Sequence, residues 1–192
     1  MTSTLSGVPA APASSEQALP YTAFLGLGSN LGDPIHILQV AWYLLSNETF
    51  IQTIRLSDPY HSDPLSMHSE HRFVNAVALV RTGLTPLALL ERLSQIEMRC
   101  GRTRSATEAA GYQDRTLDLD LLFFDDQVIK TRELILPHPR MHERLFVLAP
   151  LAQIAPTMVH PLFSQPVSAL LQDLRQTNLE QRVERGLWPV RR

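Results

Sequence analysis

Between Arg115 and Phe124 the chain reads Arg-Thr-Leu-Asp-Leu-Asp-Leu-Leu-Phe-Phe, an apolar run interrupted by carboxylates at Asp118 and Asp120. Read as a buried strand, this run puts both aspartates on one face, because side chains two residues apart in a strand point the same way. Two like charges side by side are costly unless a cation lies between them. The fold must therefore leave one face of this strand open to a site, and the residue type suggests which. Hard oxygen donors of this kind suit Mg²⁺, which takes one or two protein carboxylates and completes its shell with water and phosphate oxygens. The competing reading is the solvated face of an edge strand, where polar and apolar residues also alternate. The flanking chain favours the metal reading, since Arg102, Arg104 and Arg115 lie upstream and His138, Arg140 and Arg144 downstream.

The 192 residues, 44% hydrophobic and 19% charged, suffice for a single domain with its own core, and no stretch reads as a membrane span. A net charge of -2 argues against a nucleic-acid binder working through a broad basic surface. Cys100 is the single cysteine, so an internal disulfide and a thiolate zinc site are excluded and a reducing cytoplasm is expected. Residues 1–20 are rich in Ala, Ser, Thr and Pro, and the first basic side chain is Arg55, so neither a secretory nor an arginine-rich transit signal is read there. This segment is expected to be a disordered leader, followed by one domain over 21–176 and a tail over 177–192.

Tyr21 to Leu27 predicts a strand that ends in a Gly-Ser-Asn-Leu-Gly-Asp-Pro turn, with a helix from about Pro34 to Ser46. Phe50 to Leu56 and Phe73 to Val80 read as strands separated by a long polar loop. Thr85-Pro86 is an N-cap with proline at the first helical position, and Gly101 stops the helix it starts. Arg102 to Asp114 has no periodicity and is expected to be a mobile loop, a lid over a polyphosphate. After the two-aspartate strand, a turn at Asp125-Asp126 returns the chain through Val128-Ile129, and two short helices follow, around Glu143 to Leu151 and Val167 to Leu174. The order strand, helix, strand, strand, helix, strand is that of a ferredoxin-like α+β sandwich. Its four-stranded antiparallel sheet carries both helices on one face, leaves the other for a site, and here bears C-terminal helical additions.

Other patterns carry less. The glycines from Gly26 to Gly32 do not have dinucleotide-binding spacing; they suit a turn that admits close approach, with Asn30 lining the site. His61, His68 and His71 lack orderly ligand spacing, and Pro139 argues against a zinc helix around His138 and His142. The loop from Tyr60 to Leu65, with Phe73 and Asn75, could wall a flat polar ligand.

Five blocks in order carry a resemblance to a known family: Leu27-Gly28-Ser29-Asn30-Leu31-Gly32; Phe73-Val74-Asn75-Ala76; Ile96-Glu97 with Gly101-Arg102; Arg115-Thr116-Leu117-Asp118-Leu119-Asp120; and Leu136-Pro137-His138-Pro139-Arg140-Met141 running on to Arg144-Leu145-Phe146-Val147-Leu148. Together they resemble the 6-hydroxymethyl-7,8-dihydropterin pyrophosphokinases of folate synthesis. The resemblance implies a ferredoxin-like fold and transfer of the ATP diphosphate to the pterin hydroxymethyl oxygen, with AMP leaving and two Mg²⁺ ions bridging the phosphates. It implies Asp118 and Asp120 as metal ligands, and Arg102 and Arg115 beside them as catalytic, phosphate-facing arginines. Ser62, Asp63, Leu65, Phe73, Asn75 and Phe146 take its pterin-binding positions. Ser94, Glu97, Arg104, Tyr112, Leu121, His138 and Arg144 take its ATP positions, with Glu97 and Leu121 nearer the nucleoside. A monomer is expected, because the fold can bury its own core and no long apolar edge is evident. Two other classes share this fold or this acid pair: a ferredoxin-like regulatory domain that binds a heterocycle, and a metal-dependent nucleotidyltransferase.

Overall fold

A computed structural model describes residues 18–64, 71–102 and 114–189. The expected leader up to residue 17, Leu65, and residues 103–113 of the expected loop, Arg104 and Tyr112 among them, lie outside the described residues. Strand β1 (Tyr21–Ser29) leads through a turn, with Gly32 at φ 67°, into helix α1 (Pro34–Ser46). Only glycine adopts that backbone without a steric penalty. The Asp33 side chain accepts the His36 N–H at 3.1 Å, and Pro34 occupies the first helical position, where its missing N–H costs nothing. Helix α2 (Pro86–Arg99) starts in the same way, with Thr85 Oγ1 accepting the Ala88 N–H at 3.3 Å. It stops at Gly101, whose φ is 87°.

Strands β2 (Ile51–Leu56), β3 (Tyr60–Ser62), β4 (Phe73–Thr82) and β5 (Asp118–Phe124) join β1 in an antiparallel sheet. The long β4 is its spine. One edge of β4 pairs with β1, which pairs in turn with β5. Along its other edge β4 takes β2 over one half and β3 over the other. Ser57 makes that division: its N–H donates to Val77 O and its Oγ accepts the Val77 N–H, both at 2.9 Å, before Asp58-Pro59 turns the chain. A further strand, β10 (Val183–Arg185), extends the sheet to six strands beyond the four expected, in the segment expected to be a tail; four short strands between β5 and β10 form two small ribbons. β6 (Ile129–Lys130) pairs with β7 (Ile135–Leu136) and not with β5, so the chain after Asp125-Asp126 does not return onto β5. The strand also begins at Asp118, not at Arg115.

Alternation along the strands supplies two cores. Ala23, Leu25 and Leu27 of β1, with Leu119 and Leu121 of β5, face α1 and α2, where they meet Leu38, Ala41 and Leu45 and then Leu89, Leu93 and Ile96. Each such leucine contributes roughly 1.5–3 kcal/mol when fully buried. On the other face Phe24, Val77, Leu122 and Phe123 pack beneath helix α3 (Leu145–Ile154) and helix α4 (Val167–Thr177). The ribbon β8 (Val159–His160) and β9 (Gln165–Pro166) joins these two helices. α3 and α4 therefore cover only part of that face, and the uncovered end carries Asp118 and Asp120.

Candidate active site

The floor of the cleft is backbone. Gly28 of β1 stands opposite Asp118 on one side and Asn75 on the other, and Gly26 stands opposite Asp120 and Val77. Paired residues share a face, so the two glycines leave bare strand between the acid pair and Asn75. A Cβ at Gly28 would come within 3.2 Å of Asn75 Oδ1, which makes the floor intolerant of even alanine without a shift of that amide. Asn75 is buried and its Nδ2 donates to Ser62 Oγ at 3.0 Å. Phe73, Phe146, Val147 and Leu122 supply the apolar walls, and Asp63, Arg115 and Arg144 the polar rim. Asp63 is exposed and accepts from Arg72 Nε at 3.1 Å.

Asp118 is held between two guanidinium groups. Arg102 Nη1 donates to its Oδ1 at 2.8 Å and Arg115 Nη1 to its Oδ2 at 2.6 Å. The same Arg102 nitrogen donates to Glu97 Oε1 at 2.5 Å, and that oxygen also accepts the Leu119 N–H at 2.7 Å. Glu97, 3% exposed, thus ties α2 to β5 and steadies Arg102. Its carboxyl is pushed up by burial, against which the Leu119 N–H and Arg102 act. Arg115 is itself placed by Asn30, whose Oδ1 accepts the Arg115 N–H at 2.7 Å while its Nδ2 donates to Asp114 Oδ1 at 2.6 Å. Asn30 is 3% exposed, so it latches the arginine segment to the end of β1 and does not line the cleft.

Asp120, two residues along β5, has Arg144 Nη1 and His138 Nε2 each 4.0 Å from its Oδ2. Burial first, and then the neighbouring Asp118 carboxylate, push its pKa up to about 7, although 37% of the side chain remains open to the cleft. His138 is pushed down to about 4 by burial and then by Arg144 and Arg140, so its ring is neutral at pH 7. Its Nδ1 accepts the Arg140 N–H at 3.3 Å, which assigns the ring proton to Nε2, the atom facing Asp120. The Arg144 guanidinium carbon sits 5.7 Å from the centre of the Phe146 ring, within cation–π range.

The structure thus brings together Asp118, Asp120, Arg102, Arg115, Arg144, His138, Asn75, Ser62, Asp63, Phe73 and Phe146. It does not bring Leu121 into the cleft: that side chain is 3% exposed and packs in the core on the face opposite Asp120, as strand parity requires. Ser94 is half-buried on α2, one turn before Glu97 and away from the cleft lining. Val77, Leu122 and Val147 were not anticipated. Leu122 follows from the same period of two that sets Asp118 and Asp120 on one face, whereas Val77 needs the register that puts it opposite Gly26 and Val147 needs the packing of α3.

The cleft is a flat apolar slot beside an acid pair ringed by guanidiniums, and the chain that builds it is similar to known proteins. A family model described as 7,8-dihydro-6-hydroxymethylpterin-pyrophosphokinase (HPPK) matches residues 24–156. The 2-amino-4-hydroxy-6-hydroxymethyldihydropteridine pyrophosphokinase of Bacillus subtilis (strain 168) is 43% identical over 132 residues, covering 69% of this chain and 77% of that protein. The Pseudomonas aeruginosa protein of the same name is 40% identical over 138 residues, covering 72% of this chain and 83% of that one. Among solved structures, Plasmodium falciparum HPPK-DHPS wild type with STZ-DHP shares the fold at a TM-score of 0.66 and 16% identity, over 86% of this chain. The chain spans just under half, 46%, of that longer one. On the family match and these identities, the chain belongs to the 7,8-dihydro-6-hydroxymethylpterin-pyrophosphokinase family.

Proposed function

We propose that this protein moves the β,γ-diphosphate of ATP onto the hydroxymethyl oxygen of 6-hydroxymethyl-7,8-dihydropterin, releasing AMP, as a step of folate synthesis. The observation that carries this reading is the juxtaposition across one bare glycine strand of an amide-and-aromatic slot with a carboxylate pair. The slot suits a flat, hydrogen-bonding ring. Gly26 and Gly28 let it lie against the backbone, Asn75 offers its amide to the ring edge, and Phe73 and Phe146 stack on its faces. A ring held there directs its hydroxymethyl arm toward Asp118 and Asp120.

Among the described residues no group of three or more His, Cys, Asp or Glu side chains could hold a metal ion. The pair Asp118 and Asp120 still fits Mg²⁺, because both carboxylates lie on one strand face of the cleft and that ion needs few protein ligands, taking the remainder from water and phosphate. We read the pair as ligands for two Mg²⁺ ions, which would neutralise the phosphates and polarise the β-phosphorus. The hydroxymethyl oxygen bonds to that phosphorus, the bond from it to the oxygen bridging the α-phosphate breaks, AMP departs with the electron pair, and the hydroxyl proton is lost. Arg102 and Arg115, which pair with Asp118, would be placed to donate to phosphate oxygens beside a cation held by that carboxylate. Arg144 and neutral His138 flank the other acid and donate to the same polyphosphate. Leu65, Arg104 and Tyr112 are further contacts to pterin or ATP, and Ser94, Glu97 and Leu121 are placed here behind that layer, bearing on the nucleotide through α2 and β5.

We read the protein as a cytoplasmic monomer whose catalytic unit, expected over 21–176, takes in the segment through β10 as well; among the described residues no helix is long and apolar enough to cross a membrane. Labelling tests the reaction. With ATP labelled at the β-phosphorus, the label should appear in pterin diphosphate and not in AMP. Label in free pyrophosphate, with the adenylyl group on the pterin, would make the protein a nucleotidyltransferase; pterin binding without label transfer would make it a binding domain.

A further inference from the structure

The family match ends at residue 156, yet two walls of the cleft lean on the segment after α4. Strand β10 (Val183–Arg185) lies against β3, setting Val183 opposite Ser62 and Glu184 opposite His61. Beyond it the Gly186 N–H donates to Pro59 O at 2.7 Å and Trp188 Nε1 to Ser57 O at 2.8 Å. The strand that carries Ser62 is therefore backed along its outer edge by residues outside the family match.

The second lean is at Gln181, three residues after Asn178, whose Oδ1 accepts the Gln181 N–H at 3.3 Å. Gln181 Nε2 donates to Glu143 O at 2.7 Å and its Oε1 accepts the Leu145 N–H at 2.8 Å. One amide thus spans the backbone on both sides of Arg144. Helix α3 has no side-chain cap of its own at Arg144, so Gln181 supplies the acceptor that the first helical N–H lacks. We propose that Gln181 is a positioning residue for the transfer site: by clamping the backbone around Arg144 it sets where the Arg144 guanidinium meets Asp120 and where Phe146 stands in the slot.

The geometry supports this beyond simple capping. Arg144 is 7% exposed, and its guanidinium reaches both Asp120 and the Phe146 ring, so a shift of its backbone moves both contacts. The amide is also oriented by its partners, since an N–H can meet only the oxygen and a carbonyl only the NH₂ group. Gln181→Glu keeps the acceptor for Leu145 but sets an oxygen against Glu143 O, releasing one end of the clamp. Gln181→Ala releases both.

This inference rests on the diphosphoryl-transfer reading, and the test separates the two. Gln181→Ala, Gln181→Glu and the control Leu187→Ala, at a position of the same segment that is 81% exposed, are compared with wild type. The readouts are thermal unfolding, amide hydrogen exchange at Leu145, and kcat and KM for both substrates. Loss of one or two such bonds at a site that depends on them should lower kcat/KM roughly tenfold in Gln181→Ala. Leu145 exchange should speed up there, stay protected in Gln181→Glu despite reduced kcat/KM, and be unchanged with full activity in Leu187→Ala. Wild-type kinetics in Gln181→Ala, or an equal loss in Leu187→Ala, would overturn the proposal. If Gln181→Ala does not fold, full kcat/KM in Gln181→Glu overturns it and a reduced value supports it. If the wild type itself fails to turn over, the functional reading falls, and unchanged Leu145 exchange in Gln181→Ala would remove the clamp as well.

Discussion

Removing the Glu97 carboxylate should damage this protein in two separable ways. Glu97→Ala deletes the acceptor of the Leu119 N–H, a donor buried between α2 and β5, and deletes one partner of Arg102. An unsatisfied buried N–H costs about 1–3 kcal/mol, and a hydrogen bond to a charged group is worth about 1.5–3 kcal/mol. Arg102 keeps Asp118 as a partner at 2.8 Å, so the second figure applies at its lower end. The sum is roughly 3–4 kcal/mol, which for a chain of this size lowers Tm by about 6–16 °C. Glu97→Gln retains an acceptor for Leu119. Because burial already disfavours the charge on Glu97, the neutral amide should cost only about 1 kcal/mol. Turnover separates the second effect: Glu97→Gln should fold and still lose about tenfold in kcat, because its amide oxygen still accepts from Leu119 and Arg102 but no longer holds the guanidinium with a charge. Thermal unfolding followed by circular dichroism, beside steady-state assays, reads both. Equal stability of Glu97→Ala and wild type, or Glu97→Gln as unstable as Glu97→Ala, would refute the assignment of Glu97 as the tie between α2 and β5.

Asp118→Ala and Asp120→Ala should fold and lose nearly all turnover, and full activity in either, measured by product chromatography, would remove the metal assignment. Asp120→Asn should stabilise the ligand-free protein while abolishing turnover. A folded-state pKa of about 7 against an ordinary 3.8 means the folded state binds more protons between these values, so stability falls as pH rises across that window. Discounted for the partial exposure of Asp120, the gain in Asp120→Asn at pH 8 is about 1–2 kcal/mol, and no rise in Tm there would contradict it. His160 is buried against Phe123 and Phe163 and pushed down to about 4, chiefly by burial. The unfolded chain takes up its proton below about 6.5 and the folded one does not, so stability is lost as pH falls from there to 4, by up to roughly 3 kcal/mol. His160→Leu should flatten that part of a Tm profile, and an unchanged slope would exclude His160 as its source. Gly28→Ala should raise the pterin Kd several-fold through the contact at 3.2 Å with Asn75 Oδ1, and titration of the pterin by its own fluorescence checks this.

The parts of the fold legible in the sequence are those with local causes. Helix α2 is announced at both ends, by Thr85-Pro86 and by Gly101, and the shared face of Asp118 and Asp120 follows from a period of two. Strand parity equally turns Leu121 away from that face. Its place near the nucleoside rested on the resemblance, and the structure shows its side chain in the core. The strands β3 and β10 span three residues each and form only because distant segments meet, Val183 against Ser62, which no local pattern announces. The return through Val128-Ile129 is present as β6, but its partner was not legible for a related reason: its two residues pair with β7, not with β5. In the site, the kinds of residue were legible and their partnerships were not. Arginines beside acids suggested phosphate binding, whereas the sharing of Arg102 between Glu97 and Asp118 depends on where α2 ends relative to β5.

The most direct test of the central claim is to incubate the purified protein with ATP, Mg²⁺ and 6-hydroxymethyl-7,8-dihydropterin, with Asp120→Ala alongside, and to follow AMP and pterin diphosphate by chromatography. The account predicts both products in equal amounts from the wild type and neither from the variant. Pterin that binds while no AMP forms, or AMP and pterin diphosphate made equally well by Asp120→Ala, would contradict it.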